Sequence, residues 1–161
     1  MTWLTDSIEQ LEETYGGSPW YGKSLSTILR EIEPSKAGTP IDNSHSIYQI
    51  AYHMLAWRKY LVEKLQGNAI YAIELGSSAD WVQGSTVGAA EWSRLLADFD
   101  ENQKRLLALL NEQSEALLEK TVPGKKYGFR KLIEGMVQHD IYHAGQLVTT
   151  ARILGAYKPN S

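Results

Sequence analysis

The chain has 161 residues, of which 43% are hydrophobic and 22% charged, with a formal net charge of −3; this is the composition of one globular domain over 1–161, not of a disordered chain. It contains no cysteine, which excludes disulfides, thiolate metal sites, CxxC redox chemistry and a cysteine nucleophile. It also has no basic stripe and no apolar run of roughly 18 residues, so the expectation is a cytoplasmic protein with neither nucleic-acid nor membrane partners.

The first nine residues lack the basic region and long apolar core of a signal peptide. Leu4, Ile8, Leu11 and Tyr15 recur at helical spacing, predicting a helix over 3–15 that Gly16-Gly17-Ser18-Pro19 interrupts. A second block covers 25–33 and stops before Pro34. The two read as one broken bundle helix or as two short ones. Ser46-Ile47-Tyr48-Gln49 has the spacing of a capping box, so a helix begins at Ile47. It ends near Gln66, with Gly67 placed to take the left-handed position beyond the last turn.

Between Gly67 and Gly88 the periodicity fades. Gly76-Ser77-Ser78 and Gly84-Ser85 mark turns, while Tyr71, Ile73, Leu75 and Trp81 want burial. A connection this long folds over a site or crosses the bundle, and it is the candidate lid. Trp92, Leu95, Leu96, Phe99, Leu106 and Leu110 predict a helix over 89–111. A short helical piece follows over 114–120, then a turn over 121–128. The last helix covers 130–154 and stops before Gly155 and Pro159. The predicted architecture is all-α: a four-helix bundle with its first helix broken and a long connection between the second and third bundle helices.

Three of the four histidines occupy informative positions. His139 and His143, four apart on the last helix, project from one face. At about 100° per residue, with His143 at zero, His139 lies at about −40° and Leu132, Met136, Leu147, Thr150 and Leu154 fall within about 40°. On the helix beginning at Ile47, His53 shares its face with Gln49, Trp57 and Tyr60, while Arg58 and Val62 fall on the far side. Each buried imidazole needs hydrogen-bond partners. One divalent ion satisfies all three, because the i, i+4 pair chelates from adjacent turns and the facing helix supplies a third nitrogen, leaving coordination positions open. The rival reading is three core histidines that satisfy one another. His45, just ahead of Ser46, reads as a surface turn residue.

Known metal motifs narrow the choice. His139-Asp140-Ile141-Tyr142-His143 has the zincin HExxH spacing with Asp for Glu, but no His, Asp or Glu follows His143 as a third ligand. A di-iron carboxylate bundle needs two ExxH motifs; only Asp140-x-x-His143 is present, and Ile50 stands at the matching place before His53. A closed structural zinc site needs a further carboxylate or His45 as fourth ligand, and that reading stays open.

Three segments in this order resemble the DinB/YfiT-like superfamily of small bacterial four-helix proteins, over nearly the whole chain. They are Tyr15-Gly16-Gly17-Ser18-Pro19-Trp20-Tyr21-Gly22; His45-Ser46-Ile47-Tyr48-Gln49-Ile50-Ala51-Tyr52-His53 with Ala56-Trp57-Arg58 after it; and His139-Asp140-Ile141-Tyr142-His143-Ala144-Gly145-Gln146. The resemblance implies a divalent metal held by three histidines, which fall here at His53, His139 and His143. Zinc or nickel is the first expectation, with iron or manganese as others, and the expected assembly is a homodimer. Members with assigned activity include thiol-dependent S-transferases using bacillithiol and a mycothiol-dependent maleylpyruvate isomerase.

Two kinds of function are compatible with these residues. One is a metalloenzyme acting on a small molecule, either a thiol-dependent S-transferase or a metal-water hydrolase. A three-histidine ion brings a water or an external thiol toward its anionic form, and without a cysteine the thiol must come from a cosubstrate. Supporting roles are expected for Asp140 (orienting a ligand histidine or acting as base, against a surface salt bridge), for Gln146 near the ion, and for Trp57 and Tyr60 as pocket walls. The alternatives are a non-catalytic metal- or ligand-binding bundle and a structural dimerisation module.

Overall fold

The computed structural model describes residues 2–84 and 87–157. Five α-helices make up its regular structure: α1 (Trp3–Gly16), α2 (Leu25–Arg30), α3 (Ile47–Leu65), α4 (Ala89–Asn111) and α5 (Phe129–Ile153). Short 3-10 turns at Pro34–Lys36 and Glu115–Glu119 join them. Among the described residues there is no strand, only isolated bridges between Ile32 and Tyr157 and between Thr121 and Gly128. No helix among them is long and apolar enough to cross a membrane. Two predicted breaks, at Ser85 and Pro159, lie outside the described residues.

Helix α3 packs against α4 and α5, and α1 packs against the same two, so α1 and α3 are diagonal in a four-helix bundle. Helix α2 also packs on α1, α4 and α5, extending the α1 edge beyond the break at Gly17. That second block ends at Arg30, three residues before the predicted Glu33. Beyond it the chain is drawn toward the C-terminal segment, where Ile32 bridges Tyr157 and the Glu33 N–H donates to the Ala156 carbonyl at 2.7 Å. A tertiary partner overrides local helical preference there.

The ends of α3 follow local chemistry. The Gln49 N–H donates to Ser46 Oγ, and the Ser46 N–H donates to Gln49 Oε1, completing the capping box. At the other end Gly67 has φ +84°, and the Gly67 and Asn68 N–H groups reach back to the Lys64 and Glu63 carbonyls. These are the paired bonds of a Schellman end, which glycine adopts without a Cβ penalty.

Two apolar clusters fill the bundle. One contains Ile47, Met54, Trp92, Phe99 and Leu147; the other contains Leu11, Leu61, Leu106, Leu110 and Ile133. A polar layer crosses the bundle between them. It consists of Arg58 of α3, Gln103 of α4 and Asp140 of α5, all buried, with the Leu11 carbonyl of α1 accepting from Gln103 at 3.4 Å.

Candidate metal centre

On α3 the buried residues run from Tyr60 through His53, Lys64, Ile50, Leu61, Met54, Ile47, Arg58 and Ala51 to Val62 and Leu55. With His53 at zero this arc extends from about −20° to about 200°, so its centre is near about 90°. On α5 the buried residues extend from His143 to Val137, and Asp140 lies near the middle of that arc. The inward face is therefore rotated from the one predicted by taking the histidines as its centre. Arg58 and Val62 are buried rather than outward-facing, because α3 has neighbours on two sides. The histidines line the rim of the buried face, at the seam between α3 and α5.

That seam brings them together. His53, His139 and His143 each offer a ring nitrogen, all within 4.8 Å of one another. The ring centroids are 5.0 Å apart for His53 and His139, 4.8 Å for His53 and His143, and 4.4 Å for His139 and His143. His53 Nε2 faces His139 Nε2 at 3.0 Å.

Each ring is held differently. His53 Nδ1 lies 2.8 Å from Asp80 Oδ1 and 3.3 Å from the Asp80 carbonyl, so this nitrogen carries the proton and Nε2 presents its lone pair to the cluster. His143 Nδ1 donates to Gln146 Oε1 at 2.6 Å, and the Gln146 amide in turn donates to the Tyr142 hydroxyl. His139 Nδ1 is buried and has no hydrogen-bond partner.

Burial lowers the basicity of all three rings. Asp80 opposes this at His53, and the Gln146 contact opposes it at His143. His139 is lowered to about 3, first by burial and then by its neighbours His143 and His53. The three rings are thus neutral at pH 7, the form that binds a metal. Burial pushes the Asp80 carboxyl up, but the Gly76 N–H, the Trp57 indole N–H and His53 hold it below the ordinary aspartate value.

The donor set fits a divalent ion of borderline softness. Two imidazole nitrogens at about 2.0–2.1 Å from a tetrahedral ion lie about 3.3 Å apart, close to the Nε2–Nε2 separation of 3.0 Å here. The Asp80 carboxylate behind His53 agrees with that reading.

The connection between α3 and α4 supplies two residues that periodicity does not pick out. Asp80 accepts from His53, from Trp57 Nε1 at 3.0 Å and from the Gly76 N–H at 2.8 Å. Trp81 is sandwiched: His53 stacks on one face at 4.0 Å and His45 on the other at 3.7 Å, both within 7° of parallel. His45 is exposed, as a turn residue should be. The one sequence signal for Asp80 is that 67–88 contains only two acids, Glu74 and Asp80.

The other nominated residues lie as follows. Asp140 is wholly buried and its carboxylate reaches Arg58, not a histidine and not the surface. Burial pushes its carboxyl up and Arg58 opposes that. Gln146 orients His143 and lines a cleft of about 660 Å³ that His143, His45, Trp81 and Tyr142 also border. Trp57 lines a smaller apolar cavity of about 160 Å³ beside His139. Tyr60 is buried, bonds the Tyr127 hydroxyl at 3.1 Å, and borders neither space.

Fold and cluster together define a class: a helical bundle whose seam carries three converging imidazoles able to hold one metal ion. The chain belongs to the DinB superfamily, whose family model matches residues 22–147. That match takes in α2, α3, α4 and both histidines of α5. Neither a curated protein nor a solved structure matches the chain.

Proposed function

We propose that the protein holds a divalent metal ion, zinc or nickel, between His53, His139 and His143 and acts with it on a small molecule. The observation that supports this most directly is the convergence of three neutral imidazole nitrogens within 4.8 Å. When bound, such an ion supplies Lewis acidity, which favours the anionic form of a water or thiol at neutral pH.

The chain's own residues shape what surrounds the ion. Asp80 and Gln146 each take the outer N–H of a ligand histidine, fixing its tautomer and aim. His53 is also wedged against Trp81, which limits its tilt. The cleft of about 660 Å³ beside His143 is of a size that takes a small organic molecule, and Ser44, His45, Tyr142, Thr149 and Thr150 border it with polar groups. The chain has no cysteine. A thiol-dependent S-transfer therefore needs an external thiol in that cleft, whereas a hydrolase needs only water and an electrophile there.

Metal analysis of untagged protein tests the first half. Stoichiometric metal in the wild type, lost in His53→Ala and His139→Ala, is the expected result, and retention in both variants overturns it. A screen of low-molecular-weight thiols and water against electrophiles, with metal-loaded and chelator-treated protein, tests the second half. Turnover that depends on metal supports an enzyme. Its absence throughout, with metal bound, supports a non-catalytic metal-binding bundle.

A further inference from the structure

The bundle carries an ion pair at its centre that the metal chemistry above does not use. Arg58 and Asp140 are both wholly buried, and α1 and α4 contribute to the surroundings of the pair along with α3 and α5. The Arg58 guanidinium donates to Asp140 of α5 and to Gln103 of α4, and it lies 5.0 Å from the ring centroid of Tyr15 of α1. Gln103 then donates to the Leu11 carbonyl. Arg58 Nε and Asp140 Oδ1 remain without partners.

Stability alone does not account for such a pair. Two desolvated charges with two unsatisfied atoms do little better than apolar side chains of similar volume, and often worse. Directionality is what distinguishes the pair from a Met–Leu contact, because a guanidinium fork donates its hydrogen bonds only in its plane.

Its position gives that directionality a use. Asp140 directly follows His139 and precedes His143 by three residues, and Arg58 follows His53 by five. Arg58 on α3, and His139, Asp140 and His143 on α5, lie where each helix passes from one apolar cluster to the other, and His53 faces His139 across the seam. Fixing Arg58 to Asp140 in the interior therefore fixes the rotation of α3 and of α5 about their own axes. That rotation decides whether the rim histidines face one another, since about 100° separates the directions of consecutive residues.

We infer that Arg58 and Asp140 are positioning residues for the three-histidine site, setting the rotation of α3 against α5 so that the imidazoles converge. This rests on the metal reading above. The pair touches no ion itself, and acts through the backbone of the two helices that carry the ligands.

The test compares the wild type with Arg58→Met/Asp140→Leu, which removes both charges and leaves neither unpaired. Co²⁺ is the probe, read by its visible absorption and by chelator competition. The double variant is expected to keep a wild-type unfolding midpoint or a higher one, yet to bind Co²⁺ at least tenfold more weakly with an altered spectrum. A purely structural role leaves the spectrum and affinity unchanged once the protein is folded. Affinity within twofold of wild type, with the same spectrum, overturns the inference and leaves the metal site standing. A wild type that takes up no Co²⁺ overturns both. Should the double variant not fold, Arg58→Lys serves instead. It keeps the charge without the planar fork, and Co²⁺ affinity unchanged in that variant also overturns the inference.

Discussion

The carboxylate of Asp80 sits 2.8 Å from Nδ1 of His53, although the two residues are 27 positions apart and Asp80 belongs to the irregular connection after α3. This contact selects the tautomer that leaves Nε2 unprotonated and facing His139. A carboxylate behind a ligand histidine typically contributes about 10–100-fold to metal affinity. Asp80→Ala is accordingly expected to weaken metal binding by a factor in that range, measured by chelator competition. Asp80→Asn, which still accepts through its amide oxygen, should fall between it and the wild type. Wild-type affinity in Asp80→Ala would show that the contact does not tune the site.

Acid should destabilise the metal-free protein in a defined window. Burial and its histidine neighbours hold His139 down at about 3, and burial also lowers His53 and His143. In the unfolded chain a histidine titrates near about 6.5. Below that value the unfolded state binds protons that the folded state does not, so stability is complete above about 6.5 and declines as pH falls toward about 3. Each such group contributes a slope of at most about 1.4 kcal/mol per pH unit. Urea midpoints of chelator-treated protein should drop between pH 7.5 and 5, and His139→Asn should flatten the drop. Equal slopes in the two proteins would count against this assignment.

Phe99 is fully buried on α4, where its ring stacks near Tyr15 with centroids 6.4 Å apart. Truncation to alanine leaves a cavity in the cluster on one side of the polar layer. The expected cost is about 3–5 kcal/mol in urea unfolding. It should come without loss of stoichiometric metal at a temperature where the variant is folded, since Phe99 stands on α4 and the three histidines on α3 and α5.

Gly124 provides a test of how the connection after α3 is anchored. It has φ +75°, and a Cβ there would stand 2.5 Å from the Ala69 carbonyl oxygen. That oxygen, together with the Asn68 carbonyl, accepts from the buried Lys64 ammonium. Gly124→Ala combines left-handed strain with a backbone clash, so it should destabilise by more than about 1 kcal/mol. Hydrogen exchange should show faster amide exchange near Ala69. Unchanged stability and exchange would mean that the two loops do not depend on each other.

Local chemistry made much of this fold legible. Ser46 with Gln49, and Gly67 after the last turn, mark the ends of α3 because caps and left-handed glycines act within four or five residues. The apolar spacing over 89–111 coincides with α4. The same i, i+4 rule pairs His139 with His143 without reference to any other helix. The end of α2 was not legible, because Ile32 and Glu33 answer to Ala156 and Tyr157 at the far end of the chain.

What the sequence determined by itself is the set of helices, their ends apart from that of α2, and which histidines share a face; all of these depend on neighbours within about one turn. The tertiary structure alone decided how far each helix is rotated, because rotation depends on what α3, α4 and α5 each meet across the bundle. It thereby placed the histidines at the rim, gave the centre to Arg58 and Asp140, and brought Asp80 and Trp81 from an aperiodic segment onto His53. Side chains joined only through space leave no period in the sequence.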